Sequence, residues 1–394
     1  MTTTAGPAAA LDPRTRAEVE RWLTRRGLPH LIAGYSARED VLTRVVPFLA
    51  LVFTFEVLLA LNLDWPLWAN VAAVVGGGVL LLGAYGLLNR LQGRATLALP
   101  RRVGNGEIAT FLMLPALLPV VFGGDLASAA VAILGNAVTL AVVYFVASYG
   151  ILHMLRWALA QTGRHLAAVG RLAARALPML LLFSTFLFVN AELWQVAGDF
   201  TTATFTATIV LFVGAGLIFF LLRLPRQTAD IATFDTWAQV EGLIARSPAV
   251  ALGDAPSRPL ADVPPLSRPD RLNVGLLLVV AQGVQILLVS ALIGAFFVAF
   301  GLIAIREGTI LTWTTAEEVT ALARLTLWDT PVVLTTELVR VASFIAAFTG
   351  LQFTVSASTD ETWRAEFIDD VVADVREALA VRARCLAAAP PDAG

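Results

Sequence analysis

The stretch Val274–Ile305, VGLLLVVAQGVQILLVSALIGAFFVAFGLIAI, decides the fold class of this 394-residue chain. It contains no charged residue, and its polar side chains are limited to two glutamines and one serine. A helix of this length measures about 48 Å, whereas the hydrocarbon core of a bilayer is about 30 Å thick. The stretch therefore predicts a transmembrane helix that tilts, breaks near Gly294 or Gly301, or projects beyond the membrane.

The composition of the whole chain agrees with a membrane protein. Hydrophobic residues make up 57% of the sequence and charged residues only 15%, whereas soluble domains average about 25% charged residues. The formal net charge of −2 gives no electrostatic reason to expect nucleic-acid binding. The single cysteine, Cys385, excludes an intramolecular disulfide framework and a cysteine-based metal site.

Hydropathy predicts an all-α polytopic membrane protein with about eight transmembrane helices. Spans 1–4 fall within 45–155, spans 5 and 6 within 177–222, and spans 7 and 8 within 274–356. The eight apolar segments are Val45–Leu63, Leu67–Leu88, Ile108–Gly123, Leu126–Leu155, Leu177–Ala197, Ala203–Leu222, Val274–Ile305 and Pro331–Ser356.

Arginine placement orients these segments, since the chain has 28 Arg and no Lys. The positive-inside rule places the Arg clusters in 89–107 and 156–176 in the cytoplasm. An even number of crossings must then separate them. Ile108–Gly123 is short and contains two prolines, so a re-entrant loop is the alternative, but this count favours a span. Eight spans put both termini, and 25 of the 28 Arg, in the cytoplasm.

The segments outside the predicted spans are short. We expect cytoplasmic N-terminal helices in 1–44, a basic amphipathic helix in 156–176, and a helix followed by a Pro-rich loop in 223–273. An outer loop is predicted in 306–330, and a cytoplasmic helix with a tail in 357–394. Five tryptophans are expected at the outer interface, where amphipathic rings prefer to lie: Trp65, Trp68, Trp194, Trp313 and Trp328.

A sequence repeat is a further hypothesis. Offsetting the first span by 131 residues aligns Arg44 and Pro47 with Arg175 and Pro178 near the fifth span. Both hairpins run from inside to outside and back, so the relation would be a parallel 4+4 repeat, as in some transporters. Convergent membrane-helix composition is the alternative explanation.

The candidate site consists of the ionisable residues within the predicted spans, because charged groups are costly in hydrocarbon. Counting from the outer ends places them about 8–14 Å below the outer boundary at helical rise. They suggest an outward-facing polar cavity between spans 1, 5 and 8. The residues are Glu56, Glu192, Glu337 and Arg340, with Asn190 and Asn136 at comparable depth.

Two interpretations of these residues stay open. Glu337 and Arg340 are three residues apart on one helix and can pair. One arginine cannot neutralise three carboxylates, so a converging set would bind a proton or a cation. The structural alternative is a Glu337–Arg340 pair, with Glu56 and Glu192 holding helices together.

The sequence thus favours a transporter or channel for a proton, a cation or a cationic solute. The alternative is a structural or assembly protein that docks a cytoplasmic protein partner through its cytoplasmic helices. No catalytic residue, metal site or cofactor is predicted, because the chain lacks His-Glu-x-x-His, Gly-x-Ser-x-Gly and phosphate-loop motifs. This favours a protein that is not an enzyme, with an intramembrane hydrolase or lipid transferase left open. Arginine without lysine, together with abundant alanine, is typical of a GC-rich bacterial genome. We therefore expect this membrane protein in a bacterial plasma membrane.

Overall fold

The computed structural model describes residues 12–32, 126–164, 182–253, 258–327, 330–359 and 369–388, with residue 256 and isolated positions from 68 to 90. These residues are mostly helical. The helices are α1 Pro13–Arg25, α2 Leu126–Ser148, α3 Ile151–Arg164, α4 Ala191–Asp199, α5 Thr202–Ile231, α6 Trp237–Ile244, α7 Arg268–Ala304, α8 Glu307–Thr314, α9 Thr336–Thr359 and α10 Asp369–Ala388. Two strands, β1 Ala321–Leu327 and β2 Thr330–Thr335, form an antiparallel hairpin.

The chain divides into two compact units. The first contains residues 1–28 and 153–393, and the second contains residues 29–152. In the second unit, the ring of Tyr149 at the end of α2 lies 4.7 Å from that of His30 and 5.0 Å from that of Phe145, measured between centroids.

Three described helices are long and apolar enough to cross a membrane: Thr202–Pro225 within α5, Arg268–Ala304, and Thr336–Ser356 within α9. A fourth is added if Ile133–Ser148 and Ile151–Gly163 together count as one span. The predicted spans within 45–123, and most residues that carry the proposed repeat, lie outside the described residues. Eight spans, the repeat and the orientation of the termini therefore stay predictions.

Small residues bring α7 and α9 together as an antiparallel pair. A Cβ added to Gly294 would lie 3.2 Å from the Cβ of Ala346, and one added to Gly350 would meet the hydroxyl of Ser290. On each helix the two small residues are four positions apart, a spacing that allows close backbone approach in membrane helices. Further along the pair, Gly301 faces the side chain of Leu338.

Helix α5 completes a three-helix bundle with α7 and α9. It runs parallel to α9, because Phe212 contacts Phe344 and Gly216 faces Leu351. It runs antiparallel to α7. The bundle thus has a hairpin end, where Thr202, Ala304 and Thr336 lie, and a loop end at the opposite termini of the same helices.

Helix α7 is continuous over 37 residues. Its N-terminus is fixed by a capping box: Asp270 N–H donates to the Ser267 hydroxyl (3.3 Å), and Ser267 N–H donates to the Asp270 carboxylate (3.1 Å). The helix measures about 55 Å at 1.5 Å per residue. The break considered near Gly294 or Gly301 does not occur, since both glycines face α9 within an unbroken helix.

Two other predicted spans are interrupted. Within Leu126–Leu155, α2 ends at Ser148, and Gly150 adopts a φ of +67°, a left-handed conformation that suits glycine. Within Leu177–Ala197, the helix that includes residues 182–188 ends before Asn190. Asn190 then caps the separate helix α4. Hydropathy joins these pieces because it does not detect such local stops.

The predicted outer loop 306–330 and the first residues of the eighth span form ordered structure at the hairpin end. Helix α8 and strand β1 lie in the loop, and β2 takes up Pro331–Thr335, so α9 begins at Thr336. The all-α prediction is therefore wrong for this hairpin. Threonine and valine in β2 favour an extended backbone, although they also raise apolarity over the same residues.

The core of the hairpin end joins α4, α7, α8 and α9. Trp194 is fully buried, and its indole N–H donates to the carbonyl oxygen of Phe188 (2.6 Å). The ring of Phe188 stacks on Phe297, with 4.8 Å between ring centroids. Ile310 and Leu338 are buried in the same cluster. Trp194 is therefore covered by protein, and its position at the level of the outer interface stays a prediction.

At the loop end, α6 packs on α10. Val240 and Ile244 of α6 are buried, as are Val371, Val375 and Leu379 of α10. The helices predicted in 223–273 and 357–394 thus contact each other within the first unit.

Ion pairs join distant parts of the sequence at the loop end. Arg26 pairs with Glu377 (2.7 Å), Arg382 with Asp270 (3.2 Å) and Arg384 with Glu241 (3.1 Å). The guanidinium of Arg384 also donates to two backbone carbonyl oxygens, those of residues 252 and 253. Only 3% of the Arg384 side chain is exposed.

We expect Gly27→Ala to lower the free energy of unfolding by about 2–4 kcal/mol, measured by thermal unfolding in detergent. Gly27 has a φ of +78°, and a Cβ there would lie 2.8 Å from the backbone nitrogen of Met154. Gly253→Ala is the matched control, because Gly253 has a φ of +74° with nothing within 4 Å of the added carbon. Equal losses in the two variants would contradict steric overlap as the cause.

We expect Arg384→Met to lower the free energy of unfolding by about 3–5 kcal/mol, because it leaves the Glu241 carboxylate and two carbonyl oxygens without their donor. Arg16→Met provides the comparison. Arg16 is 56% exposed and pairs with Glu20 on the same helix, so its loss is expected to be below about 1 kcal/mol. Similar unfolding midpoints for the two variants would refute a stabilising role for Arg384.

Candidate functional site

The structure describes five of the six predicted site residues. Glu56 lies outside the described residues. Asn136 is buried in α2, within the second unit. Asn190, Glu192, Glu337 and Arg340 all belong to the first unit and lie on α4 or α9, at the hairpin end.

Asn190 has a clear local role. Its side-chain oxygen accepts hydrogen bonds from the backbone N–H groups of Glu192 (2.8 Å) and Leu193 (3.2 Å). These are donors that the first turn of α4 would otherwise leave unsatisfied. Asn190 is thus the N-cap of α4.

Glu192 lies in the first turn of α4 and is exposed. An acidic side chain there is favoured by the positive end of the helix dipole. The depth expected for Glu192 assumed a continuous helix through Leu177–Ala197. Because the preceding helix ends before Asn190 and α4 begins after it, the depth counted along one continuous helix does not apply to Glu192.

Glu337 is the buried carboxylate of this region. It follows directly on β2 in the first turn of α9, where the N–H of Leu338 donates to the Thr335 hydroxyl (3.1 Å). Its Oε1 accepts a hydrogen bond from the N–H of Thr320 (3.4 Å). The residue is only 8% exposed, and its Oε2 has no hydrogen-bond partner among the described residues.

Arg340 has a different partner from the one expected. Its Nη1 donates to the carbonyl oxygen of Ala197 (3.2 Å), in the last turn of α4. Carbonyl groups there lack intrahelical donors and carry the negative end of the helix dipole. Among the ion pairs of the described residues, none joins Arg340 to Glu337. The local i, i+3 pair is therefore replaced by a contact between helices.

This arrangement leaves Glu337 chemically unusual. A buried carboxyl oxygen without a donor costs free energy, because it has lost its hydrogen bonds to water and has gained none within the described part of the protein. The first turn of α9 favours an acidic side chain through the positive end of the helix dipole. Among the predicted site residues of the first unit, Glu337 is the one with a buried polar atom left unsatisfied in the described structure.

The partners of these residues could not be anticipated from side-chain type. Thr320 contributes its backbone N–H and Ala197 its backbone carbonyl. The β-branched run before Glu337 was the one available signal for the hairpin that brings Thr320 close. In the part of the chain that the structure describes, no group of three or more His, Cys, Asp or Glu could hold a metal ion.

Cys385 is not a reactive nucleophile. Burial raises the pKa of the Cys385 thiol to about 11, and the nearby Arg384 charge lowers it only in part. At pH 8 we expect iodoacetamide to alkylate the folded protein about two orders of magnitude more slowly than the unfolded chain, whose cysteine titrates near 8.5.

The pH dependence of the alkylation rate tests whether the pKa of Cys385 is raised in the folded protein. The folded pKa is the higher one, so the thiol contributes stability below about pH 8.5 that is lost as the pH rises towards 11. The rate of Cys385 alkylation should rise with an inflection near pH 11. An inflection near 8.5 in the folded protein would show that the thiol is not shielded.

Comparison with known proteins places the chain in no family. No family model, no curated protein and no solved structure matches it.

Proposed function

We propose that the protein is a multi-pass protein of a bacterial plasma membrane that conducts or transports a proton, a cation or a cationic solute. The observation that carries the proposal is the buried Glu337, whose Oε2 has no partner in the described structure. Intramembrane and near-membrane carboxylates of this kind are typical of proton and cation pathways.

The proposed topology has eight spans with both termini in the cytoplasm. The directions of the described helices support it. At the loop end lie Arg223 and Arg268, and the C-terminal helix α10 with its arginines contacts α5 and α7 there. The positive-inside rule makes the loop end cytoplasmic and the hairpin end external. Glu337 then faces the outer side, as the outer-cavity hypothesis requires.

Arg340 supports a cation site in a second way. Its guanidinium is engaged by the Ala197 carbonyl oxygen instead of neutralising Glu337. The negative charge of Glu337 is therefore available to a mobile cation. Glu192, which is exposed, is proposed to lie at the approach to this site, and Glu56 is retained as a proposed member.

The alternative of a docking or assembly protein has less support. It relies on exposed apolar surface of the cytoplasmic helices, whereas α6 and α10 pack on each other and Val240 and Val375 are fully buried. This packing accounts for these apolar residues without a protein partner. Transport is thus the function that the geometry favours.

We expect Glu337→Gln to lower flux at least about tenfold, because the amide keeps the acceptor for Thr320 N–H but removes the charge and the titratable site. The measurement uses the full-length protein in vesicles, with gradients of H⁺, Na⁺ or guanidinium followed by an enclosed dye or by isotope uptake. Glu192→Gln should have a smaller effect.

Glu307→Gln is the matched control at the same end of the bundle. Glu307 forms an exposed pair with Arg324 (3.4 Å), so its flux should equal that of the wild type. The proposal fails if the wild type shows no flux above protein-free vesicles for any of the three cations. It also fails if Glu337→Gln retains wild-type flux.

A further inference from the structure

A cavity of about 750 Å³ lies at the loop end of the first unit. Its walls come from the end of α5, the Pro-rich segment 260–266, the start of α7 and the second half of α10. Leu224 and Pro225 in this wall are the last residues of the candidate membrane helix Thr202–Pro225. The volume falls within the usual range for small-molecule sites, about 300–1,000 Å³.

The lining combines apolar walls with positive charge. Phe234, Leu266 and Leu379 are among its apolar residues. Its charged residues are Arg271 and Arg382, and no aspartate or glutamate is among the described residues that line it. An uncharged ligand would leave the arginines without a counterion, and a small inorganic anion would leave the apolar wall uncovered. The lining is therefore complementary to an anion with an apolar body.

Arg382 is nearly buried in this wall, with 13% of its side chain exposed. Its Nη2 donates to the Asp270 carboxylate (3.2 Å) and to the carbonyl oxygen of Pro265 (3.4 Å), and its Nη1 donates to that of Pro264 (3.0 Å). Burial lowers the pKa of the Arg382 guanidinium, whereas the charge and hydrogen bond of Asp270 raise it. Asp270 thus offsets only part of the hydration that this cation has lost.

Arg271 has no carboxylate of its own. It is exposed and forms no ion pair with any other described residue. The neighbouring Asp270 carboxylate is already occupied, since it accepts from the N–H of Ser267 (3.1 Å) and from Arg382. One carboxylate therefore serves both arginines of the wall.

Arg376 adds a third positive charge beside this wall. Its guanidinium carbon lies 5.6 Å from the ring centroid of Phe234, and its Nη2 donates to the carbonyl oxygen of Thr233 (3.4 Å). Phe234 and Thr233 both line the cavity. Asp235 and Asp262 follow lining residues in the sequence, but both are exposed and neither lines the cavity. The charge beside the wall is therefore predominantly positive.

We propose that this cavity binds an organic oxyanion, a carboxylate or a phosphate carried on an apolar body. The oxyanion accepts hydrogen bonds from the guanidinium groups of Arg271 and Arg382, and the body packs against Phe234 and Leu379. Such an anion is supplied either from solution or, as a free fatty acid, from the adjacent leaflet. The proposal does not rest on the transport activity, because Glu337 lies at the opposite end of the bundle.

The test uses three photoreactive benzophenones that differ in charge and have the same body. They are 4-benzoylbenzoate, its uncharged amide, and the ammonium compound 4-benzoylbenzylamine. Each is added to the full-length protein in phosphatidylcholine vesicles, and mass spectrometry maps the labelled residues after illumination. We expect the carboxylate to label the cavity lining at least about fivefold more than the amide, because its hydrogen bonds to guanidinium are charge-assisted, and the ammonium to label it least.

Arg271→Gln should reduce labelling by the carboxylate at least about fivefold and leave labelling by the amide unchanged, because it removes one charge from the wall. Arg268→Gln is the matched control. Arg268 is also exposed and lies in the same turn of α7, but it does not line the cavity. Its labelling should equal that of the wild type, and unfolding midpoints verify that both variants fold.

Competition against 4-benzoylbenzoate identifies the source of the anion. Octanoate and hexyl phosphate are soluble, whereas palmitate partitions into the bilayer. Displacement by a soluble competitor or by palmitate supports the proposal and tells the two sources apart. The proposal is overturned if none of the three competes, if the amide labels the lining as strongly as the carboxylate, or if Arg271→Gln leaves the carboxylate labelling unchanged.

Discussion

The contact between α7 and α9 is the constraint on which the rest of the first unit depends. Lipid tails are as apolar as leucine side chains, so two apolar helices gain little from hydrophobicity alone and need close van der Waals packing. Ser290 and Gly294 supply this on α7, and Ala346 and Gly350 supply it on α9. Once these two helices are fixed, Glu337 is set beside the β-hairpin and Arg340 is set against the end of α4.

The same small residues have a second effect. Where side chains are smallest and the third helix approaches, the bundle cannot fill its own interior. Gly216 and Gly283 line a groove of about 790 Å³ between α5, α7 and α9, so close packing on one side of α7 is accompanied by space that the described residues leave open on another. A close helix contact and the groove beside it thus have the same cause, which is the small size of these residues.

The membrane class could be predicted from the sequence because long apolar runs are a local property. The ends of helices were predicted less well. Asn190 and Gly150 stop helices through side-chain capping and a left-handed backbone, to which average hydropathy is blind. The residues 331–335 are both apolar and β-branched, so a strand and the start of a span look alike there. Only the pairing of these residues with β1, which is a tertiary contact, distinguishes a strand from the start of a span.

The candidate site was predicted in part for a similar reason. The energetic cost of burying charge identified Glu337 and Arg340 by residue type alone. Their partners are the backbone N–H of Thr320 and the backbone carbonyl of Ala197, which every residue type shares.

The ion pairs at the loop end carry a consequence for biogenesis. Arg26 and Glu377 are 351 positions apart, and Arg384 and Glu241 are 143 apart. A chain is made from its N-terminus at about 5–20 residues per second, so α1 waits tens of seconds for the helix that neutralises Arg26. Helices α5, α7 and α9 are therefore all synthesised before the loop end can close. Helix α10 follows all the other described helices in the chain and pairs with the end of α1, so a chain truncated before α10 would leave Arg26 without its carboxylate partner.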